Sequence, residues 1–271
     1  MAIKLVEGKV TAVTGGLTGI GRAIALAFLT HGAYVAVNHL GGPGDGPHLK
    51  SLLEEAQKIT GSTEKSSVKE KRIITVAGDV SDPKTGETLI GETVKAFGRL
   101  DVFVSNAGIC QFEEFLKVSP TLLNSHISTN LAGAYLTTQS AARQLASQNP
   151  PGGSLILISS ISALVGGAGQ THYTPTKAGI LSLSNSLACA LGQYNIRANA
   201  LLPGTIRTQL NDEDLEDEEK RTYMEGRIPL GRLGQPLDLA GPALFLACEE
   251  LSGYVTGAQI LVDGGAFVNF Q

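Results

Sequence analysis

Short apolar segments alternate with helical patterns along nearly the whole chain. Short apolar runs are typical of strands buried on both faces, and apolar positions repeating about every 3.6 residues are typical of helices. The alternation predicts an α/β fold with a mostly parallel sheet covered by helices. The predicted strands are Lys9–Thr14, Ala33–Val37, Arg72–Val76, Asp101–Ser105, Ser154–Ser159, Ile196–Leu202 and Ala258–Val262, and the predicted helices are Gly19–His31, Leu49–Ile59, Pro83–Phe97, Pro120–Ser147, His172–Gln193 and Pro236–Cys248.

Two segments interrupt this alternation. Asn38–Lys71 is rich in Gly, Pro, Ser and charged residues, and Pro203–Pro229 contains the acidic run Asp212–Glu219. An acidic run is typical of a solvent-exposed helix face. A long connection in a compact domain is also typical of a loop that closes over a binding site. Both interpretations of the run stay open, and residues 203–230 are the candidate substrate flap.

Composition narrows the range of functions. The chain has 271 residues and a formal net charge of −4, with 17% charged and 42% hydrophobic residues. This balance excludes a strongly basic nucleic-acid-binding protein and general disorder. The charge-poor stretches Gln144–Thr176 and Ala178–Ile196 contain Ser, Asn, Pro or Gly residues, which favours buried or subunit-facing segments over a membrane span. Three widely spaced cysteines and no apolar leader predict a reducing compartment, the cytoplasm.

A glycine-rich loop follows the first predicted strand and opens the first predicted helix. It runs Thr14-Gly15-Gly16-Leu17-Thr18-Gly19-Ile20-Gly21. Gly15 permits a tight turn, while Gly19 and Gly21 let the backbone approach a pyrophosphate at the helix N-terminus. The loop lacks the Lys and Ser/Thr of a phosphate-binding P-loop. Any tight turn can need glycine, but the place of this one at the first strand–helix junction favours dinucleotide binding.

The end of the second strand bears on the choice of coenzyme. An acidic residue there is typical of NAD binding and an arginine of NADP binding. Asn38, His39 and Leu40 stand there instead, and the next cation is Lys50. Asn38 can hydrogen-bond a ribose hydroxyl but does not repel a 2′-phosphate. The missing phosphate partner favours NAD, and NADP stays open.

A tyrosine and a lysine lie one helical turn apart. Tyr173 and Lys177 share a helix face, with Pro175 tolerated in the first turn. A free tyrosine, with a pKa of about 10, is a poor base at neutral pH, and a nearby lysine cation lowers that pKa. Such a tyrosine can take the proton of an alcohol while a hydride leaves to nicotinamide. Because Tyr-x-x-x-Lys is also a common surface pair, the spacing alone leaves both interpretations open.

Three more polar residues are candidates for the same site, two of them after predicted strands and one in a predicted helix. Ser160 follows the fifth strand, at the carboxyl edge where α/β sheets place their sites, and can hydrogen-bond a substrate oxygen. Asn106 follows the fourth strand. Asn130 stands inside a predicted helix, where Asn is a poor helix former, and a water relay to Lys177 is one reason for it to be there.

Taken in order, these residues resemble the short-chain dehydrogenase/reductase family over nearly the whole chain. The matching segments are Thr14-Gly15-x-x-x-Gly19-x-Gly21, Asp79-Val80, Asn106-Ala107-Gly108, Asn130, Ser160, Tyr173-x-x-x-Lys177 and Pro203-Gly204-x-x-x-Thr208. The chain departs from the family pattern at Ser105, where a second Asn is common, and at Asn38, where an acid is usual. The second departure leaves the coenzyme open.

The resemblance implies one domain, residues 1–271, with a doubly wound parallel sheet of seven strands in the order 3-2-1-4-5-6-7. It implies Tyr173 as the acid/base, Lys177 lowering the tyrosine pKa and holding the ribose, Ser160 orienting the substrate and Asn130 in a proton relay. It also implies a two-fold interface of helices, often within a homotetramer. The implied coenzyme contacts are Gly15, Leu17, Gly19, Ile20, Gly21, Asn38, His39, Asp79, Val80, Asn106, Ala107, Gly108, Tyr173, Lys177, Pro203, Gly204, Ile206 and Thr208.

Within the family, four segments are similar to fungal dehydrogenases that oxidise an aldose at C1 to its lactone, which makes L-rhamnose the expected substrate. The segments are His172–Leu183, Gly226–Arg232, Asn38–Leu40 and Phe267–Gln271. The candidate sugar contacts are Ser160, Ser162, Gln170, His172 and Tyr173.

The sequence is also compatible with two other functions. A carbonyl reductase for a ketone or β-ketoacyl substrate stays open, and so does a protein that only senses the NAD(H) ratio. A serine hydrolase would need a G-x-S-x-G turn, and a zinc enzyme would need clustered ligands. The chain lacks that turn, and its five His residues are scattered, so we expect no metal.

Overall fold

The computed structural model describes residues 4–63, 65–209, 211 and 216–269. Within them, seven parallel strands form one sheet in the order β3-β2-β1-β4-β5-β6-β7. The α/β class, the strand order and every predicted strand are confirmed, with strand ends within two residues of the prediction. The strands are Val10–Val13 (β1), Tyr34–His39 (β2), Ile73–Ala77 (β3), Val102–Ser105 (β4), Gly153–Ile158 (β5), Ile196–Pro203 (β6) and Gln259–Val262 (β7).

Helices cover both faces of the sheet. One core packs beneath α1, α2 and α9, and the other beneath α4, α6 and α7. The helices are Gly19–Thr30 (α1), Asp45–Thr60 (α2), Val68–Lys71 (α3), Pro83–Phe97 (α4), Pro120–His126 (α5), Ala134–Ser147 (α6), Thr174–Leu191 (α7), Glu218–Gly226 (α8), Ala240–Ala247 (α9) and Glu249–Ser252 (α10).

Alternate residues of each strand enter opposite cores. In β1, Val13 joins the core beneath α1 while Ala12 joins the core beneath α4. In β5, Ile156 and Leu157 divide in the same way. Because both faces of a parallel sheet are buried, the strands need apolar residues at every position. This explains the unbroken apolar runs of the sequence.

The helix α2 is longer than predicted. It begins at Asp45, four residues before the predicted start at Leu49, and includes Gly46 and Pro47. Proline is tolerated in the first turn, where its missing N–H has no helical partner. The Gly and Pro content of this segment is typical of a loop, and the sequence therefore predicted a loop. In the structure, the same residues form the first turn of a helix.

The predicted helix Pro120–Ser147 is interrupted. A π-helical segment, Ile127–Gly133, joins α5 to α6 and carries Asn130. π-Helical turns are rare and are frequently found at functional sites. Side-chain periodicity does not reveal such a segment, because both its flanks keep the apolar pattern.

Two other predicted helices start or end differently. The helix predicted at His172–Gln193 spans Thr174–Leu191, and a 3₁₀ turn at Pro236–Leu239 precedes α9. Residue 210 and the first half of the acidic run, residues 212–215, lie outside the described residues. Its last two residues begin the exposed helix α8.

Among the described residues, no helix combines the length and apolarity needed to cross a membrane.

Candidate active site

The glycine-rich loop has a backbone that only glycine fits at two positions. Gly15 has a φ of +62°, and a Cβ on it would lie 2.9 Å from the Cα of Ala107. A Cβ on Gly21 would collide with the carbonyl oxygen of Gly15. The side chain of Thr18 makes no capping hydrogen bond to the N-terminus of α1. The loop and this helix end therefore fit the pyrophosphate of a dinucleotide, with backbone N–H groups as donors.

Asn106 fixes the shape of this loop. Its Nδ2 donates hydrogen bonds of 3.0 Å to the carbonyl oxygens of Thr14 and Gly15. The Thr14 hydroxyl in turn accepts from the backbone N–H groups of Asn106 and Ala107 at 2.9 and 3.1 Å. The Asn-Ala-Gly segment after β4 and the glycine loop after β1 thus form one hydrogen-bonded unit at the carboxyl edge of the sheet.

The Asn38 side chain, predicted to hydrogen-bond a ribose, makes its hydrogen bonds within the protein. The residue is 1% exposed, and its Oδ1 accepts a 3.4 Å hydrogen bond from the backbone of Gly15. Its Nδ2 donates to the carbonyl oxygen of Gly78 at 2.9 Å. Because both ends of the amide are used inside the protein, Asn38 links the glycine loop to the end of β3.

An acid does lie beside the turn after β2, contributed by the next helix. Asp45 Oδ2 is 2.7 Å from His39 Nδ1 and accepts a 2.7 Å hydrogen bond from the backbone of Gly41. The hydrogen bond with His39 lowers the pKa of this carboxyl, so it is ionised at neutral pH. The nearby cation Arg22 is committed to the carbonyl of Leu17 and to Glu55 of α2.

Tyr173 and Lys177 meet as the i, i+4 spacing predicted. The Lys177 ammonium lies 5.6 Å from the centre of the Tyr173 ring, and it donates a 3.1 Å hydrogen bond to the carbonyl oxygen of Ile158. The hydroxyl of Ser159 donates to the carbonyl oxygen of Lys177 at 2.8 Å. The start of α7 is thus tied to the end of β5, at the same sheet edge as the glycine loop.

The electrostatics differ from the sequence-based expectation in one respect. Burial raises the pKa of Tyr173, whereas the sequence predicted that Lys177 would lower it. A hydrogen bond with Ser160 opposes this rise, because it favours the phenolate. Burial also lowers the pKa of Lys177 to about 8. Burial therefore biases both groups towards their neutral forms.

Asn130 lies at the centre of the site with its side chain fully buried. Its Oδ1 accepts from the backbone of Ile109 at 2.8 Å, and its Nδ2 donates to the carbonyl of the same residue at 2.9 Å. A Cβ on Gly108 would lie 3.2 Å from Asn130 Oδ1 and 3.6 Å from Lys177 Nζ. Asn130 therefore holds the strand-end loop next to the lysine.

Ser160, Ser162 and Gln170 come together near Tyr173. The Ser160 hydroxyl accepts a 3.0 Å hydrogen bond from the backbone of Ser162, and Ser162 Oγ lies 3.4 Å from Gln170 Oε1. Gln170 Nε2 lies 3.7 Å from the sulfur of Cys110, which is partly exposed. The structure thus brings three of the predicted sugar contacts to one wall beside the tyrosine.

His172, another predicted sugar contact, is a buried residue. It is 2% exposed, and its Nε2 donates a 2.8 Å hydrogen bond to the carbonyl oxygen of Gln111. The ring is buried behind the loop that follows Asn-Ala-Gly, and the contact between His172 and the sugar stays a prediction.

The remaining predicted coenzyme residues lie around the same edge. Asp79 is exposed and binds Ser81, while Val80 is buried. Gly204 packs against Asp263 so closely that a Cβ would lie 2.9 Å from its Cα. Other predicted residues at this edge are Leu17, Ile20, Pro203, Ile206 and Thr208. The described residues bring no three His, Cys, Asp or Glu side chains together as a metal site.

A protein-family model described as enoyl-(acyl carrier protein) reductase matches residues 15–266. A crystal structure of a short-chain type dehydrogenase/reductase from Mycobacterium marinum superposes with a TM-score of 0.84 at 31% identity, covering 96% of each chain. The chain belongs to the short-chain dehydrogenase/reductase family. It is therefore a short-chain, nicotinamide-dependent dehydrogenase.

Two relatives of this short-chain dehydrogenase/reductase carry specific names. One from Scheffersomyces stipitis, named L-rhamnose-1-dehydrogenase, is 57% identical over 98% of this chain and 99% of its own. One from Sphingomonas sp., named L-rhamnose 1-dehydrogenase (NAD(P)(+)), is 51% identical over 99% of this chain and 100% of its own.

Three residues of this family member were missed from the sequence. Asp45 stands six residues beyond β2 and reaches back to the turn, so inspection of the strand end alone could not find it. Cys110 was interpreted as a packing residue, yet its sulfur lies 3.7 Å from Gln170 Nε2, and a thiolate there would raise the pKa of both Tyr173 and Lys177. His126 was one of several scattered histidines, and only the fold places its ring 6.5 Å from that of Tyr173.

Proposed function

We propose that this chain oxidises L-rhamnose, or a close analogue such as L-mannose or L-lyxose, at C1 to the 1,4-lactone. The observation that carries the proposal is the grouping of Tyr173, Ser160 and Lys177 at the sheet edge next to the glycine loop. The sugar itself is supported by the names of the two relatives, which match this chain over almost its full length.

The chain's own residues handle the proton. The bound nicotinamide coenzyme supplies the hydride acceptor for the hydrogen on C1. Tyr173 as phenolate takes the proton of the C1 hydroxyl, and Ser160 hydrogen-bonds the same oxygen. Lys177 places a positive charge over the Tyr173 ring, which favours the phenolate. Asn130 holds the loop beside Lys177, on a route by which a proton can leave.

The polar wall beside Tyr173 suits a small polyhydroxylated ring. Ser162 and Gln170 offer hydrogen-bonding groups next to Ser160, whereas a long acyl chain would need a continuous apolar groove. A site that hydrogen-bonds hydroxyls discriminates strongly against analogues that lack them, because its own polar groups are then left unpaired. We expect steep dependence on the sugar's hydroxyl pattern.

For the coenzyme we propose a preference for NAD with measurable use of NADP. The ionised Asp45 beside the turn after β2 disfavours the additional charge of a 2′-phosphate. His39 Nδ1 lies 2.7 Å from the same carboxylate, so His39 and Asp45 form one pair at this turn.

We propose that residues 203–230 act as a flap over the sugar. Lys220 of α8 lies 5.7 Å from the centre of the Phe112 ring, on the loop that leads away from Cys110. This contact supports an arrangement in which α8 approaches the substrate wall from outside.

We propose a homotetramer. Leu183, Leu187 and Leu191 of α7 are only partly buried, and Tyr135 of α6 is 49% exposed. Apolar residues around much of a helix need cover on more than one side. Light scattering that shows a monomer at micromolar concentration would contradict this assembly.

Product analysis tests the reaction itself. Purified protein with NAD and L-rhamnose is expected to form the 1,4-lactone, visible by NMR, followed by slow release of acid as the lactone hydrolyses. Oxidation at a carbon other than C1 would contradict the proposal.

A further inference from the structure

Two buried histidines hold one peptide unit of the loop after β4. His172 Nε2 donates a 2.8 Å hydrogen bond to the carbonyl oxygen of Gln111, and the backbone N–H of Gln111 donates a 3.3 Å hydrogen bond to His126 Nε2. Both rings are nearly inaccessible, at 1% exposure for His126 and 2% for His172. Their centroids are 4.5 Å apart and the rings meet edge to face.

The partners define where each histidine carries its proton. The carbonyl oxygen of Gln111 can only accept, so His172 is protonated at Nε2. His126 Nδ1 donates to the carbonyl oxygen of Leu122 at 2.9 Å, which leaves its Nε2 as the acceptor for Gln111. His126 is therefore neutral in this arrangement, and a second proton on its Nε2 would face the N–H of Gln111 and break that bond.

The same loop is held at its other end by the buried amide of Asn130, which bonds both backbone groups of Ile109. Cys110 lies between these two anchors and faces Gln170 of the substrate wall. A negative charge on the Cys110 thiol would raise the pKa of both Tyr173 and Lys177. The loop Ile109–Gln111 is thus a wall of the site whose position depends on the histidine pair.

We infer that His126 and His172 are positioning residues for the sugar site, and that protonation of His126 at Nε2 releases the loop Ile109–Gln111 and weakens sugar binding in acid. The inference rests on the proposed sugar oxidation for its kinetic effect. The release of the loop itself is independent of the substrate.

The two histidines differ in how they bind Gln111. His172 binds its carbonyl oxygen through a donor nitrogen, and the other ring nitrogen, Nδ1, is buried without a hydrogen-bond partner among the described residues. His126 binds the N–H of Gln111 through an acceptor nitrogen, so that bond exists only while His126 Nε2 carries no proton. The titratable groups that face its ring are His172 at 4.5 Å and Tyr173 at 6.5 Å between ring centroids, with Lys177 behind Tyr173.

Burial lowers the pKa of His126, and the neighbouring His172 lowers it further, while the bond to Leu122 opposes them. The neutral form therefore persists below the ordinary histidine value of about 6.5. The loop is held at neutral pH, and its release is confined to more acidic solution.

Steady-state kinetics on the whole enzyme test the inference with two variants. His126→Gln offers a carbonyl that can accept from Gln111 and does not titrate, and His126→Phe fills the space without an acceptor. The matched control is His31→Gln, because the partly buried His31 lies at the C-terminal cap of α1 and binds the backbone of Leu5.

In the wild type and the control, we expect KM for L-rhamnose to rise about two- to tenfold between about pH 7.5 and pH 5, the effect of one lost hydrogen bond. In His126→Gln that rise disappears, and in His126→Phe KM is raised at every pH. The pH dependence of kcat set by Tyr173 and Lys177 stays the same in all four proteins. A wild-type pH profile of KM in His126→Gln, or a wild-type KM in His126→Phe, would overturn the inference.

Amide hydrogen exchange of the Ile109–Gln111 segment at one neutral pH gives a readout without substrate. We expect faster exchange in His126→Phe than in the wild type and near-wild-type exchange in His126→Gln. If L-rhamnose is not oxidised at all, the proposed function fails while this measurement still decides the role of the histidines. If His126→Phe does not fold, the segment's exchange in the wild type across the acid range decides it, with unchanged protection contradicting the inference.

Discussion

The ammonium group of Lys177 lies over the ring of Tyr173, 5.6 Å from its centre. The lysine is held in place by the carbonyl of Ile158 and the hydroxyl of Ser159, both at the end of β5. A cation over the ring favours the phenolate, while burial of both residues opposes charge on either. The protonation of the site therefore depends on this pair together rather than on the tyrosine alone.

Replacement of the phenol tests its role in proton transfer. In Tyr173→Phe we expect turnover to fall about 10²- to 10⁴-fold, the usual contribution of general acid–base catalysis, with the coenzyme still bound. The matched control is Tyr254→Phe, which removes a hydroxyl from a fully exposed tyrosine. A Tyr173→Phe enzyme that keeps more than half of the wild-type turnover would contradict the mechanism.

The buried lysine predicts a pH-dependent stability. Its pKa falls from 10.5 to about 8 on folding, so between these values the unfolded chain binds more protons and stability rises with pH. Relative to Lys177→Met, the wild-type free energy of unfolding should increase by about 2 kcal/mol from about pH 8 to pH 10. Denaturant unfolding at several pH values measures this difference.

The matched control for that measurement is Lys95→Met, at an exposed lysine paired with Glu92. We expect its stability to run parallel to the wild type over the same pH range. If Lys177→Met also runs parallel to the wild type, folding does not lower the pKa of Lys177, and the account of its burial is contradicted.

Much of the fold could be predicted from the sequence, because a parallel sheet buried on both faces leaves a plain signal of apolar runs. The start of α2 could not, since the Gly and Pro residues around Asp45 are as compatible with a loop as with a first helical turn. The π-helical segment that carries Asn130 was also invisible, because the flanking helices keep their periodicity.

The residue types of the candidate active site could be predicted from the sequence. The directions of several of their side chains could not. Spacing alone brought Tyr173 and Lys177 together, since residues four apart share a helix face. The inward direction of the Asn38 and His172 side chains depends on tertiary hydrogen bonds, and the rise in the pKa of Tyr173 depends on its burial. These side-chain directions and this pKa depend on residues that are distant in the sequence, so neighbouring residues alone do not predict them.

The acid beside the turn after β2 predicts a change in coenzyme preference. Asp45→Asn removes the charge and keeps an oxygen that can accept from Gly41. We expect the ratio of kcat/KM with NADP to that with NAD to rise about fivefold, from a charge interaction on the order of 1 kcal/mol. Glu54→Gln, on the same helix but more exposed, should leave the ratio unchanged.

A second variant tests whether the turn after β2 determines the preference for NAD over NADP. His39→Arg should add a charge-assisted hydrogen bond to a 2′-phosphate and shift preference further towards NADP. A wild-type enzyme that strongly prefers NADP would contradict the proposed role of the His39–Asp45 pair.

The link between Asn106 and the glycine loop predicts a defect in coenzyme binding. Asn106→Ala removes two hydrogen bonds to the carbonyls of Thr14 and Gly15, so we expect KM for NAD to rise about tenfold. Isothermal titration with NADH measures the same loss without turnover. Asn124→Ala, at an exposed position of α5, is the control, and equal affinity in the two variants would contradict the role of Asn106.

The central claim is that the site oxidises a sugar at C1, and a substrate panel with purified enzyme tests it most directly. Formation of NADH is followed with L-rhamnose, L-mannose, L-lyxose and D-aldoses, and consumption of NADH or NADPH is followed with acetoacetyl thioesters. We expect the highest kcat/KM with L-rhamnose and a loss of about tenfold or more when a single hydroxyl is missing or inverted. No activity on any aldose, together with robust reduction of an acetoacetyl thioester, would contradict the account.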